Sequence, residues 1–460
     1  MPLLFKFFYF FNYMIDVKGE KNMTYARWAK ESEVKKELIK VDLKGENKKS
    51  GIPVIYDGSH CYVTNNDSHT LIAGSTGSGK TQSIIFPLVK LSMSAGESIV
   101  INDVKGDIYV RTANEFKKRG YNVIVLDFDN AKYGNYYNPL TLPYNLFKEG
   151  NVDKAITIIE SLGYYLFADK DMQNLDPFWI NSCIDYFTGL CLYLFKKAKE
   201  PSLNTVFNLG INLNSDTDCS AFLKEIGKNN SIYYSVSGTL ESPSDTRGGI
   251  IATFTQKLKK YIIKDNLNSM LSKSDFDINC ITKEKTVIYI ISGYYDFANN
   301  LIPLFVNQLF EVINLNNNRK KINIILDEFD RLIPIRNFTE IMNYSRSIGI
   351  NFTVVIKSYL DLVNTYGEKW AQVLFLCFSN FIYLYANDIN TLEEFSKLCG
   401  NSLNGNKVVP LISVEELKSL KRFEAIFLIT RVMPFRCQLI PDYKIDWGYE
   451  AIDYEFELRK

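Results

Sequence analysis

Residues that commonly bind metals or form disulfides are scarce or scattered in this chain. The 460 residues include two histidines, and the eight cysteines stand singly, without a CxxC pair. A zinc site needs clustered cysteine and histidine ligands, and a disulfide framework is typical of short secreted chains. The sequence therefore argues against both features and is typical of a protein of the reducing cytoplasm.

The chain also lacks an excess of charge of either sign. Lysine and arginine number 53 and the acidic residues 52, which gives a net charge of +1 at pH 7. A chain so balanced has no global electrostatic attraction for DNA or for an acidic membrane. Such a partner must be bound by a local patch or by a surface that forms when subunits assemble. Lys257–Lys260 and Lys35-Lys36 are candidate patches, although such runs are more often solvated helix faces.

The chain also lacks an apolar run long enough to span a membrane. Residues 1-22 form a short apolar N-terminal segment, in which Lys6 and Asn12 interrupt the run from Leu3 to Ile15. This run is shorter than the roughly 20 residues of a spanning helix, and it has no small-residue cleavage site of a secretory signal. Three interpretations stay open: the tail of a membrane anchor, an interfacial segment, or a translated leader ahead of a start at Met23.

The length and composition predict a folded protein of several domains. At 53.0 kDa the chain is too large for one hydrophobic core, so two or three domains are expected. Apolar residues make up 46% and charged residues 23%, which excludes a disordered or fibrous protein.

A glycine-rich segment fits the phosphate-loop pattern GxxxxGK[ST]. Its residues are Gly74, Ser75, Thr76, Gly77, Ser78, Gly79, Lys80 and Thr81. A predicted strand, His69–Ala73, precedes it and a predicted helix follows, so that backbone amides and the helix N-terminus face the phosphates. Lys80 would bind the β- and γ-phosphates, and the hydroxyl of Thr81 would hold Mg²⁺. We therefore predict a site for ATP and Mg²⁺, and we expect Pro87 to kink the helix.

An acidic strand end should complete such a site. Ile322–Leu326 reads as a buried strand and is followed by Asp327 and Glu328. Asp327 is predicted to hold the Mg²⁺ shell, and Glu328 to orient or deprotonate the attacking water. Val123–Leu126 also ends in an acid, Asp127, which we interpret as a solvated turn. The first run is favoured because it has two acids, followed by a helix and another strand.

The remaining pattern indicates an α/β fold. Ser98–Asn102, Thr286–Ile291 and Phe352–Ile356 are continuous apolar runs, which predict a mostly parallel sheet covered on both faces. Residues 146-282 instead show helical periodicity, with a helix start at Asp176-Pro177. We therefore predict a nucleotide-binding domain in two parts, residues 23-145 and 283-460, interrupted by an all-α domain over residues 146-282.

Set in order, these segments resemble the coupling proteins of type IV secretion systems, the TraG/TraD-like ATPases of conjugative DNA transfer. The resemblance covers most of the chain and depends on the order of its motifs more than on any one of them. Besides the phosphate loop, the motifs are Tyr25–Ala29 (ARWA), Asn102–Asp107 (DPKGE-like), Tyr137–Leu140 (YNPL), Asp176–Trp179 (DPFW), Thr246–Gly249 (TRGS-like), Leu326–Phe329 (LDEF), Ser345–Ile350 (MRSRGI-like) and Tyr366–Trp370 (YGExW).

The resemblance implies a RecA-like motor that works as a ring, usually a hexamer, at the cytoplasmic face of the cell membrane beneath a secretion channel. Arg346 is implied to act across a subunit boundary on the γ-phosphate of a neighbour. The all-α domain is implied to take part in recognising single-stranded DNA with its attached relaxase. The implied partners are therefore this DNA–relaxase substrate, the channel subunits and the membrane, the last directly or through a separate membrane protein.

The chain departs from the family pattern in three places. Lys357 stands before Ser358 where members usually have a glutamine able to sense the γ-phosphate, and Val104 replaces the proline of the DPKGE-type turn. Members usually carry two transmembrane helices ahead of the motor, and this sequence shows at most a fragment of one. The mode of anchoring and the sensor role of Lys357 are therefore open.

Three functions are consistent with these patterns. The first is a DNA-translocating ATPase that hydrolyses ATP to drive the DNA–relaxase substrate into the channel. The second is a nucleotide-switched receptor for protein cargo that does not pump DNA, favoured by the neutral charge and by Lys357. The third is a cellular chromosome or phage-packaging motor, which the helical insertion and its DPFW-like element disfavour.

Overall fold

The structure is a computed structural model that describes residues 25–65, 68–168, 176–197, 200–316, 320–450 and 452–454. The apolar segment 1-22 lies outside the described residues, so the three interpretations of it stay predictions. Among the described residues, no helix is both long and apolar enough to cross a membrane.

Fourteen strands are described. In chain order they are β1 (Ile39–Asp42), β2 (Pro53–Asp57), β3 (His60–Val63), β4 (Thr70–Ala73), β5 (Ser98–Asn102), β6 (Asn122–Asp127), β7 (Thr286–Ile291), β8 (Ile322–Leu326), β9 (Ile350–Ile356), β10 (Asn380–Tyr383), β11 (Asn401–Asn404), β12 (Lys407–Pro410), β13 (Glu424–Ile429) and β14 (Phe435–Gln438). The strands predicted from the sequence are all present, and three of them, β5, β7 and β8, coincide with the predicted bounds.

Helices fill most of the remaining described chain. The α-helices are Glu31–Glu37, Phe86–Ser94, Asp107–Lys118, Thr141–Lys148, Val152–Phe167, Pro177–Lys197, Leu203–Asn212, Asp216–Ile226, Ser231–Leu240, Ser244–Ile262, Asp265–Met270, Cys280–Lys283, Asp296–Leu315, Phe338–Ser345, Tyr359–Tyr366, Glu368–Leu376, Ile389–Cys399 and Val414–Lys418. Short 3-10 turns occupy Phe329–Arg331, Arg346–Ile348 and Asp442–Lys444. Between β6 and β7 the described residues form helices and no strand.

The chain divides into two compact units. The first unit contains residues 1–91, 355–362 and 378–448, and the second contains residues 92–354, 363–377 and 449–460. The helices between β6 and β7 belong to the second unit together with five of the strands. The predicted boundaries of the all-α domain at residues 146-282 stay a prediction.

The first unit contains mixed-sheet strands, a small antiparallel sheet and a hairpin. Strand β10 lies between β4, to which it is parallel, and β13, to which it is antiparallel, and β14 pairs with β13 at the edge. In the parallel pair, Ile382 lies opposite Ile72. Strands β1, β3 and β2, in that order, form a separate three-stranded antiparallel sheet, and β11 pairs with β12 as a hairpin.

The second unit contains the parallel strands that the sequence predicts. The order is β9-β8-β5-β7-β6, and each neighbouring pair is parallel. Every residue of β5, β7 and β8 is buried, as expected for strands covered on both faces. The α/β class with a mostly parallel sheet is therefore confirmed.

The acidic residue at the end of β6, Asp127, is buried, although the sequence predicted that it would be solvated. Asp127 is 2% exposed, and its Oδ1 accepts a hydrogen bond from the amide of Asn130 at 2.7 Å. The interpretation of this position as a solvated turn is therefore wrong. A short polar side chain that satisfies a nearby backbone amide can be buried at a turn, and the sequence does not distinguish this from solvation.

Pro87 is accommodated by a change of helix type. Residues Thr81–Ile85 form a turn of π-helix, in which the amide of Phe86 donates to the carbonyl of Thr81, and the α-helix Phe86–Ser94 follows. Proline has no amide to donate inside a helix, and a π-turn is one way to accommodate such an interruption. The expected irregularity is present one turn earlier than the proline itself.

The helical motifs pack against one another. Asp176 caps its helix, since its Oδ1 accepts from the amide of Phe178 at 2.9 Å. A Cβ atom added to Gly249 would lie 2.7 Å from the ring of Trp179, so the TRGS-like and DPFW motifs meet where only glycine fits. The YNPL motif is anchored on helix Asp296–Leu315, because the hydroxyl of Tyr137 donates to Oε1 of Gln308 at 2.7 Å.

A buried ion pair lies in the core of the first unit. The ammonium of Lys90 lies 2.9 Å from Oδ2 of Asp442, and both side chains are at least nine-tenths buried. The indole of Trp447 donates to Oδ1 of the same aspartate at 2.9 Å, and the Lys90 ammonium lies 5.2 Å from the centre of the Trp447 ring. The aspartate therefore ties the C-terminal part of the first unit to helix Phe86–Ser94.

Replacing Asp442 by asparagine should destabilise the protein. Asp442→Asn leaves the Lys90 ammonium buried without its counter-charge, which should lower the free energy of unfolding by about 3–5 kcal/mol. The double variant Lys90→Met with Asp442→Leu replaces the ion pair by an apolar pair and should recover most of this loss. Glu394→Gln is the control, since its pair with Lys397 is exposed and worth about 1 kcal/mol or less. Urea unfolding measures the stability of all three variants. Equal losses of stability in Asp442→Asn and Glu394→Gln would contradict this account.

Candidate functional site

The phosphate loop follows the buried strand β4 and has the backbone that its glycines allow. Gly77 and Gly79 have φ of +84° and +102°, values that side-chain-bearing residues rarely adopt. Gly74 is required for a different reason, because a Cβ atom there would lie 2.8 Å from the hydroxyl oxygen of Ser78. The three glycines therefore make the tight curl that aims successive amides at a phosphate.

The polar side chains of the loop fit a phosphate ligand. The ammonium of Lys80 donates to the carbonyls of Gly74 and, at 3.0 Å, Ser75, so it lies over the loop. Ser78 is buried, and within the described part of the chain its hydroxyl has no hydrogen-bond partner. Thr81 is partly exposed at the first turn of the helix, where its hydroxyl is available to a metal ion. This donor set is the one that nucleotide phosphates and Mg²⁺ require.

Two neighbouring strand ends hold the loop in place. The amide of Gly74 donates to the carbonyl of Ile356 at 3.1 Å, and the amide of Ser75 donates to that of Tyr385 at 2.6 Å. Lys357, which stands at the usual glutamine position, therefore follows directly on the residue that anchors the start of the loop. Phe423 also reaches the loop, since a Cβ atom on Gly79 would lie 2.5 Å from its ring. Sequence reasoning missed Tyr385 and Phe423, because no local pattern marks them.

The predicted acidic strand end lies in the second unit at the end of β8. Asp327 and Glu328 are both partly exposed, whereas the strand before them is fully buried. Glu328 has φ of +48°, and its amide donates to Oδ1 of Asp327 at 2.9 Å. The carboxylate of Glu328 pairs with Arg331, whose Nη1 lies 3.2 Å from Oε2. Both acids therefore lie in a tight, internally bonded turn.

Asn102, the last residue of β5, supports this turn, and the residue after it, Asp103, is buried. Nδ2 of Asn102 donates to the carbonyl of Asp327 at 2.6 Å. Asp103 is 4% exposed, and its Oδ2 accepts from the amide of Tyr109 at 2.8 Å. Burial raises the pKa of Asp103 to about 7, and the charges of Asp107 and Asp327 add to the effect. The motif in the sequence pointed to this turn but gave no role to Asn102 or Asp103.

Arg346 lies at the exposed end of a helix. It is the first residue of the 3-10 turn Arg346–Ile348, which continues from helix Phe338–Ser345 in the second unit. Its side chain is exposed, which agrees with a role outside its own subunit but also with an ordinary surface arginine. The structure therefore brings Asp327 and Glu328 together with Asn102 and Asp103, and it describes the phosphate loop in the first unit.

The fold and the phosphate loop define the class of protein: a RecA-like P-loop NTPase. Solved structures of the conjugative coupling protein TrwB share this fold. The complex of TrwB with ADP and Mg²⁺ has a TM-score of 0.68 and 14% identity, covering 95% of this chain and 96% of the other. A sulphate complex of TrwB lacking 70 N-terminal residues has a TM-score of 0.70 and 14% identity, covering 95% and 98%.

The chain belongs to the type IV secretory system conjugative DNA transfer family, whose model matches residues 20–408. The conjugal transfer protein TraG of Escherichia coli is 24% identical over 382 residues, which cover 75% of this chain and 57% of TraG. The coupling protein VirD4 of Bartonella henselae is 21% identical over 413 residues, covering 80% and 62%. The match therefore spans less than two thirds of the length of these relatives.

The buried carboxyl of Asp103 should make stability depend on pH. Its pKa is about 7 in the folded chain against 3.8 in the unfolded chain, so the folded state binds the proton more tightly and stability falls as pH rises between these values. Asp103→Asn removes this titration. Relative to wild type, the variant should gain up to about 1.4 kcal/mol per pH unit between roughly pH 4 and pH 7, and little outside that window.

Urea unfolding of wild type and Asp103→Asn at several pH values, without nucleotide and with EDTA, measures this difference. Asp245→Asn is a suitable control, since Asp245 is exposed in the first turn of helix Ser244–Ile262. A constant difference between wild type and Asp103→Asn across pH 4 to 8 would show that Asp103 is not held as described.

Proposed function

We propose that this protein is the ATPase coupling protein of a type IV secretion or conjugation system. It binds and hydrolyses ATP to recruit a DNA–relaxase substrate and drive it into the secretion channel. The observation that carries the proposal is the phosphate loop, in which left-handed glycines, the Lys80 ammonium and the buried Ser78 hydroxyl converge. Membership of the conjugative DNA transfer family supports the type of cargo, and the TrwB complexes with ADP and with an ATP analogue support the ligand.

Each site residue has a proposed role in hydrolysis. Residues 74–81 bind the phosphates through their amides, with Lys80 at the β- and γ-phosphates. Thr81 and Asp327 hold Mg²⁺, which supplies charge neutralisation to the phosphate oxygens when bound. Glu328 orients the attacking water and accepts its proton.

Arg346 and the ring belong to the same proposal. An arginine supplied by a neighbouring subunit can stabilise the charge that develops during phosphoryl transfer, and the exposed position of Arg346 suits that role. The protein would then be active as a homo-oligomer, most simply a hexamer. Repetition of a few lysines around a ring would also give a locally basic surface to a chain of net charge +1.

The remaining partners follow from the family. They are single-stranded DNA with its relaxase, the channel subunits, and the cell membrane at its cytoplasmic face, reached directly or through a separate membrane protein. A second function, a nucleotide-switched receptor for protein cargo without DNA pumping, is favoured by Lys357 at the usual glutamine position. A lysine can contact a phosphate but cannot accept a hydrogen bond from the attacking water.

Steady-state ATP hydrolysis with and without single-stranded DNA tests the proposal. Wild type should hydrolyse ATP faster with DNA, by several-fold. Lys80→Ala should abolish turnover because it removes the phosphate-binding ammonium, and Glu328→Gln should lower it by about 100-fold or more because it removes the base. Lys148→Ala and Glu149→Gln, both exposed and remote in sequence, are the matched controls.

The two functions give different results in this assay. The protein could bind nucleotide and yet hydrolyse ATP near the background rate, with no stimulation by DNA. That result would contradict the DNA-translocating function and would favour the receptor for protein cargo. If DNA stimulates wild type, mixing Lys80→Ala with Arg346→Ala subunits tests the arginine. Mixed rings should then recover activity that neither variant has alone.

A further inference from the structure

The proposed base, Glu328, is bonded to Arg331 through both its main chain and its side chain. The amide of Arg331 donates to the carbonyl of Glu328 at 2.9 Å, closing the 3-10 turn Phe329–Arg331. Nη1 of Arg331 lies 3.2 Å from Oε2 of Glu328, and the two side chains are 20% and 23% exposed. The carboxylate is therefore held by a cation three residues further along the same turn.

The backbone of Glu328 is restrained as tightly as its side chain. Its φ of +48° lies in the left-handed region, which a glutamate adopts only where the surroundings impose it. Two side-chain contacts impose it here: Oδ1 of Asp327 accepts from the amide of Glu328, and Nδ2 of Asn102 donates to the carbonyl of Asp327 at 2.6 Å. The backbone conformation from which the Glu328 side chain extends is therefore fixed.

Arg331 is itself held from the neighbouring turn after β7. Its Nη1 also lies 3.3 Å from the carbonyl of Gly293, and the centre of its guanidinium lies 4.7 Å from the ring of Tyr294. A guanidinium over an aromatic face is attracted to it, and the planar group suits this stacking better than a lysine ammonium does. Tyr294 is 63% exposed, so it contributes this contact without being part of the core.

We propose that Arg331 is a positioning residue for Glu328, and that Tyr294 positions Arg331 in turn. A glutamate has three rotatable side-chain bonds, so a base on a partly exposed turn would sample many orientations without such a contact. Misplacement of a reacting group by about 1 Å can cost two orders of magnitude in rate. The inference deepens the proposed hydrolysis of ATP and rests on Glu328 being its base.

The test is ATP hydrolysis in steady state and in single turnover, together with nucleotide affinity measured with a fluorescent ADP analogue. Arg331→Gln should lower kcat and the single-turnover rate by about tenfold or more, with KM and affinity changed less than about twofold, because Arg331 is not one of the residues proposed to bind the nucleotide or its metal ion. Arg331→Lys should restore part of the rate, since it keeps the charge but loses the planar stack. Tyr294→Leu should lower the rate by a few-fold, and Tyr294→Phe should keep it.

Arg336→Gln is the matched control, since Arg336 is an exposed arginine that also lies over a tyrosine, 5.7 Å from the Tyr164 ring. If wild type and this control hydrolyse ATP and Arg331→Gln does so equally fast or faster, the positioning role is overturned while the proposed function stands. A loss of affinity that matches the loss of rate would also overturn it. Should Arg331→Gln not fold, the two Tyr294 variants decide, and an inactive wild type would overturn both proposals.

Discussion

The backbone bend between β4 and the helix that follows it is the constraint on which the rest of the structure depends. Gly77 and Gly79 supply the left-handed conformations of this bend, and Gly74 supplies the space for Ser78. Carbonyls from Ile356 and Tyr385 then anchor its first amides, so the ends of two other strands fix the loop. Because a loop fixed in this way needs little reorganisation, its amides are held in one arrangement before a ligand binds, as the proposed phosphate site requires.

The turn after β8 is also held in a left-handed conformation, but by different interactions. At the end of β8 the chain has no glycine, and the left-handed conformation falls on Glu328. Its stabilisation comes instead from three strand ends: the side chain of Asn102 at the end of β5, the Gly293-Tyr294 turn after β7, and Arg331 within the turn itself. A residue with a left-handed backbone that its neighbours hold from several sides is typical of a functional position in an enzyme.

The sequence predicted the parts of this protein whose signal is local. Strands β5, β7 and β8 were found with their bounds, because continuous apolar runs between polar turns mark strands buried on both faces. The phosphate loop and the two acids were found because their spacing is fixed by chemistry. Residues that act through the fold were missed: Asn102 lies 225 residues from Asp327, and Phe423, which reaches Gly79, stands just before β13. The burial of Asp127 was missed because it depends on one hydrogen bond within a turn, from the amide of Asn130, which no sequence pattern marks.

The central claim is the proposal that Thr81 and Asp327 are metal ligands at a bound nucleotide. Electron paramagnetic resonance of Mn²⁺, titrated into the protein with ADP, measures this directly. Wild type should bind one Mn²⁺ per chain in an ADP-dependent manner, and both Thr81→Ala and Asp327→Asn should weaken that binding by about tenfold or more. Undiminished ADP-dependent binding in Asp327→Asn would contradict the claim, because the acidic strand end would then have no part in the site.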